Sequence, residues 1–407
     1  MGVLSRTKQN DNSQTKDRKK DDKIRVSAYI EVETIKEYSD TLWYEFDREY
    51  EEYISTSSNG FVAAMLFLAM YLGEDLEVKG RMSPKLAYGL KELQGYFNFW
   101  HPKVFKIIKI RCDGFEIEND TPEGVMCTFS GGVDSFYTLY QHLPENEDNP
   151  LHQVTHCFLL DGFALPRTDE LNYSYQVIGE SYEKLTRKLG IKLVLVATNI
   201  TDFFEGKLHS VQTDGPVLAS APLILGRLIS AFHIASSSTY ALMPPLATNA
   251  VTTSLLSTEK LTVTLHGCDT TRVDKTVAIT NWPETYDKLR VCWEEIGVKN
   301  CCRCDKCVRT MITLEVAGVL SRYKTFHIPL KRSRIRGWIL LRKYNSGYAR
   351  EVLDFAKTRG MNKIVFDIKY AIVRSKILRR IFWFPSASLK KRSKIYRNFV
   401  KLVKSKP

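Results

Sequence analysis

The hexapeptide Ser130-Gly131-Gly132-Val133-Asp134-Ser135 constrains this chain more than any other stretch. It follows the apolar run Val125-Met126-Cys127-Thr128-Phe129 and precedes Phe136-Tyr137-Thr138-Leu139-Tyr140, which has helical character. A strand that ends in two glycines and feeds a helix can crowd backbone N–H groups against an anion. The helix N-terminus adds partial positive charge, and Ser130 and Ser135 add hydroxyl donors. The expected ligand is a phosphate group. Asp134 is the expected contact for Mg²⁺, a hard cation that takes one or two carboxylates beside phosphate oxygens.

Around this loop the pattern alternates between strand and helix. Gln153 to Leu160, Lys192 to Ala197, Tyr240 to Met243 and Leu261 to Leu265 read as short apolar strands. Glu170 to Leu189 reads as a helix with Leu171, Tyr175, Ile178, Tyr182 and Leu185 on one side, and Pro216 to Ile234 as a largely apolar helix. Near-continuous apolar strands separated by helices predict an α/β fold, a parallel sheet with helices on both faces. Ligands of such sheets sit beyond the carboxyl ends of the strands. Asp161-Gly162 and His266 to Asp269 are therefore expected beside the Ser130 loop.

The flanks read differently. Residues 1–23 are polar and charged with little to bury, and are expected to be a disordered leader. Residues 24–120 predict a small α+β domain: a strand from Arg25 to Glu33, a helix apolar nearly all round from Gly60 to Leu72, a strand from Leu76 to Gly80, a helix opened by Ser83 and Pro84, and a strand from Phe105 to Ile110. The third segment, 121–320, holds the loop. The fourth, 321–407, predicts helices over Arg350 to Lys357, Tyr370 to Arg380 and Lys390 to Lys404, with Pro385 separating the last two.

Charge is distributed unevenly along the 407 residues. The net charge is +13, yet residues 331–407 carry 23 Lys/Arg against three acids, Glu351, Asp354 and Asp367, and the rest of the chain carries 36 basic and 43 acidic residues. A strongly basic tail on a mildly acidic body predicts an acidic partner for residues 331–407, either nucleic acid or an anionic membrane surface. No apolar run reaches the roughly 18–20 residues that span a bilayer, and the basic N-terminus lacks the apolar core of a secretory signal. The expected location is cytoplasmic, with a peripheral place at the inner face of the membrane as the variant that the tail suggests.

Cys292, Cys301, Cys304 and Cys307 follow the spacing C-x8-C-x2-C-x2-C. Four thiols at this density in a reducing compartment suit tetrahedral Zn²⁺ rather than disulfides, with an iron–sulfur cluster as the alternative that spacing leaves open. Cys302 is surplus to the set. Cys112, Cys127, Cys157 and Cys268 read as small buried hydrophobes.

The Ser130-Gly131-Gly132-Val133-Asp134-Ser135 loop resembles the SGGxDS signature of the PP-loop ATP pyrophosphatases. With the four cysteines it resembles the 7-cyano-7-deazaguanine synthase family, and in particular divergent synthase-like proteins with extra N- and C-terminal regions. The likeness covers residues 121–320, and Cys302 stands where that family has glycine. It implies an adenine nucleotide alpha-hydrolase-like fold, ATP held by Ser130, Gly131, Gly132, Val133, Asp134 and Ser135, and Zn²⁺ on Cys292, Cys301, Cys304 and Cys307. It also implies a basic residue at a late helix start, which points to Lys275 and then Arg272. The implied reaction is adenylation of a carboxylate with release of pyrophosphate, followed by nitrogen transfer to form a carbon–nitrogen bond. Asp134 and Lys275 would act on the phosphates, and Asp161 would position adenosine or relay a proton. The expected partners are ATP and a carboxylate-type substrate, with self-association into a homo-oligomer left open. Two other readings stay beside this one: a PP-loop tRNA-modifying enzyme that clamps RNA with the basic tail, and a nucleotide-binding adaptor docked at a membrane or a protein.

Overall fold

The computed structural model describes residues 2–9, 22–163, 168–295, 297–340 and 343–382. Its backbone forms two compact units, one of residues 1–130 and 134–269, the other of residues 131–133 and 270–407.

The first unit is built on one ten-stranded sheet. Its strands are β1 Gly2–Gln9, β2 Lys23–Glu31, β3 Asp40–Asp47, β4 Leu76–Met82, β5 Ile110–Phe115, β6 Gly124–Thr128, β7 His156–Asp161, β8 Lys192–Thr198, β9 Ile229–Ala235 and β10 Thr262–His266. They lie in the order β10-β9-β6-β7-β8-β3-β2-β1-β4-β5. From β10 to β8 every pairing is parallel. β8 then meets β3 antiparallel through Tyr44↔Thr198 and Glu45↔Ala197, so the N-terminal strands extend the same sheet. The helices of this unit are α1 Asn59–Leu72, α2 Pro84–Trp100, α3 Val133–Gln141, α4 Asp169–Lys188, α5 Ile200–Phe204 and α6 Asp214–Ile224. The α/β expectation of a largely parallel sheet flanked by helices holds in this form.

Several local expectations are met for the expected physical reason. Ser83 caps α2, its hydroxyl accepting from Leu86 N at 3.0 Å, with Pro84 in the first turn. α1 is buried along twelve of its fourteen residues, as an all-round apolar helix must be. It packs on α6 closely enough that a Cβ at Gly60 would lie 2.5 Å from Ser220 O.

Other expectations are corrected. Pro216 to Ile234 is not one helix, because α6 stops at Ile224 and the chain turns at Leu225–Leu228 into β9. Tyr240–Leu242 is a single 3₁₀ turn rather than a strand, and the strand expected over Phe105 to Ile110 begins instead at Ile110. Gly2–Gln9, expected within a disordered leader, pairs antiparallel with β2, where backbone hydrogen bonding compensates for the lack of apolar side chains. Residues 10–21 lie outside the described residues. No boundary falls at 120 in the division into units, since strands from both sides of it share one sheet and one core.

The second unit contains α7 Arg272–Ile279, α8 Asp305–Val316, α9 Arg332–Arg336, α10 Lys343–Thr358 and α11 Asn362–Phe382. Its helical core gathers Val308, Ile312, Ile335, Trp338, Val352, Ala356 and Ile368. The helices expected at Arg350 to Lys357 and Tyr370 to Arg380 fall within α10 and α11, whereas Lys390 to Lys404 and Pro385 lie outside the described residues. Among the described residues no helix is long and apolar enough to cross a membrane.

Candidate functional site

The parallel strands taken in chain order run β10-β9-β6-β7-β8, that is fifth, fourth, first, second, third. The direction of winding reverses between β6 and β9. In open α/β sheets that reversal opens a crevice at the carboxyl ends of the two strands, where ligands bind. Ala235 N donates to Thr128 Oγ1 at 2.9 Å, tying the carboxyl end of β9 to that of β6. The Ser130 loop follows β6 directly.

Within the first unit, exposed Ser130 and buried Ser135 bring their hydroxyls to 3.4 Å of each other. Tyr182 of α4 donates its hydroxyl to Ser130 O at 3.4 Å, and Phe129 N donates to Phe158 O of β7 at 2.8 Å, which fixes the strand end beneath the loop. Asp134 lies in the first turn of α3. Asp161 ends β7, the parallel neighbour of β6, and so occupies the same carboxyl edge. The following Gly162 has φ +83° and its carbonyl accepts from Thr201 Oγ1, which fits the turn read from Asp161-Gly162. Gly131 has φ +73°, a left-handed conformation that costs a side-chain-bearing residue 1–2 kcal/mol as an order of magnitude. Its carbonyl accepts from Arg290 N at 2.8 Å within the second unit.

Arg272 and Lys275 share the first turn of α7, which Thr271 caps by accepting from Asp274 N at 3.1 Å. Lys275 is buried, only 2 % exposed, so it is not a solvated surface cation. Arg272 stacks over the ring of Tyr348 at 4.8 Å, and Arg309 lies over the same ring at 4.2 Å. Burial raises the Glu351 carboxyl above its ordinary range, and Arg272 opposes that rise. The sequence marks Arg272 as a site candidate but places none of Tyr348, Arg309 or Glu351 beside it, since they reach it only through the packing of α8 and α10.

The four cysteines converge. Their ligand atoms all lie within 4.8 Å of one another, with Cys304 Sγ 3.4 Å and Cys301 Sγ 3.8 Å from Cys307 Sγ. Tetrahedral zinc with bonds of about 2.3 Å places its sulfurs about 3.8 Å apart, so this cluster has the size for the ion. Backbone N–H groups point at the sulfurs: Glu294 N and Glu295 N at Cys292, Arg303 N and Cys304 N at Cys301, from 3.2 to 3.4 Å. Such donors favour thiolates. Hydrogen bonds from Cys301, Cys304 and Cys307 hold the Cys292 thiol far below its usual range, while the same contacts push Cys304 and Cys307 far above theirs. Only a shared cation lets all four ionise together. The four cysteines are thus positioned to hold a metal ion, and the geometry is compatible with Zn²⁺.

Local structure makes this convergence. Cys304 is the N-cap of α8 and Cys307 lies in its first turn. Cys302 adopts φ +57°, alone among described non-glycine residues, which turns the chain between Cys301 and Cys304. Asn300, fully buried, holds the Cys292 arm in place: its Oδ1 accepts from Val291 N at 2.9 Å and Cys292 N at 3.0 Å, and its Nδ2 donates to Leu289 O at 2.9 Å. Asn300 was missed, since nothing in sequence marks an asparagine beside a cysteine as a clamp. Of the remaining cysteines, Cys127, Cys157 and Cys268 are buried as expected, whereas Cys112 is only partly so.

Comparisons with family profiles, with curated proteins and with solved structures find no match. What these residues do must follow from their own chemistry.

Two further features of the first unit escaped the sequence reading. Asp214 opens α6 at the carboxyl edge of the sheet; burial lifts its carboxyl to about 7, against hydrogen bonds from Thr248 and Gly215. The residue as a whole is only partly buried, but its Oδ1 is closed to solvent and has no hydrogen-bond partner among the described residues. Four histidines also meet beside α3. His142 stacks on His233 at 4.2 Å and meets His266 edge-on at 4.5 Å, while His152 lies 5.4 Å from His233.

Proposed function

We propose that the protein is an ATP-dependent, AMP-forming enzyme of the PP-loop type that activates a carboxylate or related carbonyl and transfers nitrogen to it. The observation that carries this reading is the position of the Ser130–Ser135 loop, which leaves β6 at the reversal of strand order and enters α3. A carboxylate is a poor electrophile. Moving AMP onto it creates a good leaving group and releases pyrophosphate, and an amine or ammonia then displaces AMP. In this reading the backbone N–H groups of Gly131 to Ser135 and the Ser130 and Ser135 hydroxyls bind the departing pyrophosphate. Lys275 supplies positive charge against the negative charge that develops, and Arg272 supports it. Asp134 would hold Mg²⁺, which screens the phosphates when bound. Asp161 positions adenosine or passes a proton. Zn²⁺ on the four cysteines, a closed set, would have a structural role.

The test is pyrophosphate exchange into ATP with candidate carboxylates, followed by identification of the nucleotide product with ammonia present. Carboxylate-dependent exchange and AMP are expected. Production of ADP and phosphate instead would sink the proposal. Ser135→Ala and Asp134→Asn should each lower turnover by about 10²-fold or more, the scale typical for one lost transition-state contact.

A further inference from the structure

α11 carries two apolar faces, and the core of the second unit uses only one. Ile364, Ile368, Ala371 and Ser375 are buried, lying on the face that joins the core. On the opposite side Phe366, Tyr370, Val373 and Ile377 stand 50 to 58 % exposed. Their spacing of four, three and four residues sets them in one stripe along the helix. Exposed Lys369 and Lys376 border that stripe on one side and exposed Lys363 on the other. The single acid of α11, Asp367, is fully buried and paired with Arg332 at 2.6 Å and Arg336 at 2.5 Å, so it adds no negative charge to the stripe.

We propose that this face of α11 docks on an anionic lipid bilayer, lying in the headgroup region with Phe366, Tyr370, Val373 and Ile377 immersed. An apolar stripe between rows of lysine is what an interfacial helix presents: the apolar side chains enter the acyl boundary and the lysines reach back to anionic headgroups. The charge complementarity extends along the chain, since residues 331–407 carry 23 basic and three acidic residues. The apolar spacing also continues in the sequence at Ile381 and Phe384. At 21 residues α11 is long enough to span a bilayer but too charged and too little apolar to do so, so it lies on the surface. An RNA would be served by the lysines but not by the stripe. A second copy would place like charges against one another along both rows.

The test uses the full-length protein with sucrose-loaded vesicles of phosphatidylcholine alone or with about a third phosphatidylserine, read by co-sedimentation in near-physiological salt. The wild type should partition onto the phosphatidylserine vesicles at least about tenfold more strongly than onto phosphatidylcholine. The charge-preserving variant F366S/V373S/I377S should lose about tenfold or more of that partitioning, as should K363Q/K369Q/K376Q. Unchanged circular dichroism and metal content would establish that both variants are folded. The proposal is overturned if the serine variant binds as the wild type does, which would assign binding to tail charge alone. It is likewise overturned if the wild type shows no preference for phosphatidylserine. A wild-type dimer in lipid-free sedimentation that the serine variant converts to monomer would instead assign the stripe to a second copy.

Discussion

At the scale of single residues, the geometry of the four-cysteine cluster rests on two side chains outside the set, Cys302 and Asn300. Cys302 holds φ +57° where a glycine would hold it at no steric cost. Cys302→Gly should relieve that strain and lose the packing of a fully buried thiol, leaving stability within about 1 kcal/mol of wild type. Cys302→Val places a β-branched side chain in the same conformation and should destabilise by about 2 kcal/mol or more in urea titrations. Asn300 ties the Cys292 arm through three hydrogen bonds. Removing an outer residue that orients a ligand costs about 10- to 100-fold in metal affinity, so Asn300→Ala should release metal to a chelator at correspondingly lower concentration while all four cysteines remain. Equal affinity would show that the cysteines orient themselves. Asp214 gives a pH signature of the opposite sign to an ordinary paired carboxylate. Its folded value of about 7 lies above the ordinary 3.8, so its contribution to stability is whole below about 3.8 and is lost as pH rises to 7. Asp214→Asn should therefore raise the melting temperature at pH 7.5, with the gain vanishing near pH 4.

At the scale of elements, α3 links the Ser130 loop to a cluster of histidines. Its first turn carries the loop that follows β6, and beyond its last turn His142 packs against His233 of β9 and His266 of β10. Thr138, midway along α3, lies 3.1 Å from His266 Nδ1, and Thr264 Oγ1 lies 2.7 Å from His233 Nδ1. Burial, and then the neighbouring His142, His266 and His152, push His233 down to about 2, and burial lowers His142 as well. Glu147 lies 3.5 Å from His142 Nδ1 and is an acid beside the group. A histidine neutral in the folded state and ordinary in the unfolded state costs stability as pH falls from about 6.5 toward the folded value, by about 1.4 kcal/mol per pH unit. Denaturation followed from pH 7 to 5 should show that slope, and His233→Gln should remove about that much of it. These elements also mark what could be read from the sequence. The strand–loop–helix at Ser130 and the convergence of the four cysteines were legible because each is local, set by consecutive or closely spaced residues. The histidine seam and the Asn300 clamp draw on residues brought together only by packing. β9 was hidden because Ile229–Ala235 is buried on both faces and shows no alternation, so it merged with the apolar pattern of α6. With β9 unseen, the reversal of strand order beside the loop could not be recognised.

At the scale of the molecule, the sequence suggests a separable α+β domain over residues 24–120, yet those residues belong to the largest core of the first unit. β3 pairs with β8, and the buried Tyr44 of β3 shares a 2.7 Å hydrogen bond with Ser220 of α6. α1, apolar all round, finds cover on α6 as well as on the sheet, and Gly60 permits the approach. Composition could not reveal this, because the join spans more than 150 residues of sequence and rests on two residue pairs between β3 and β8. The consequence is testable. A fragment of residues 1–120 would leave the apolar surface of α1 and the edge of β3 open to water, and a fragment of residues 121–407 would leave the edge of β8 and the inner face of α6 open. Exposed edges and apolar faces of this size drive aggregation rather than independent folding. Each fragment expressed alone should be insoluble or lack dispersed amide resonances, and the two expressed together should yield a soluble complex. A residue 1–120 fragment that folds cooperatively by itself would show that the shared sheet is a docking of two domains rather than one folding unit.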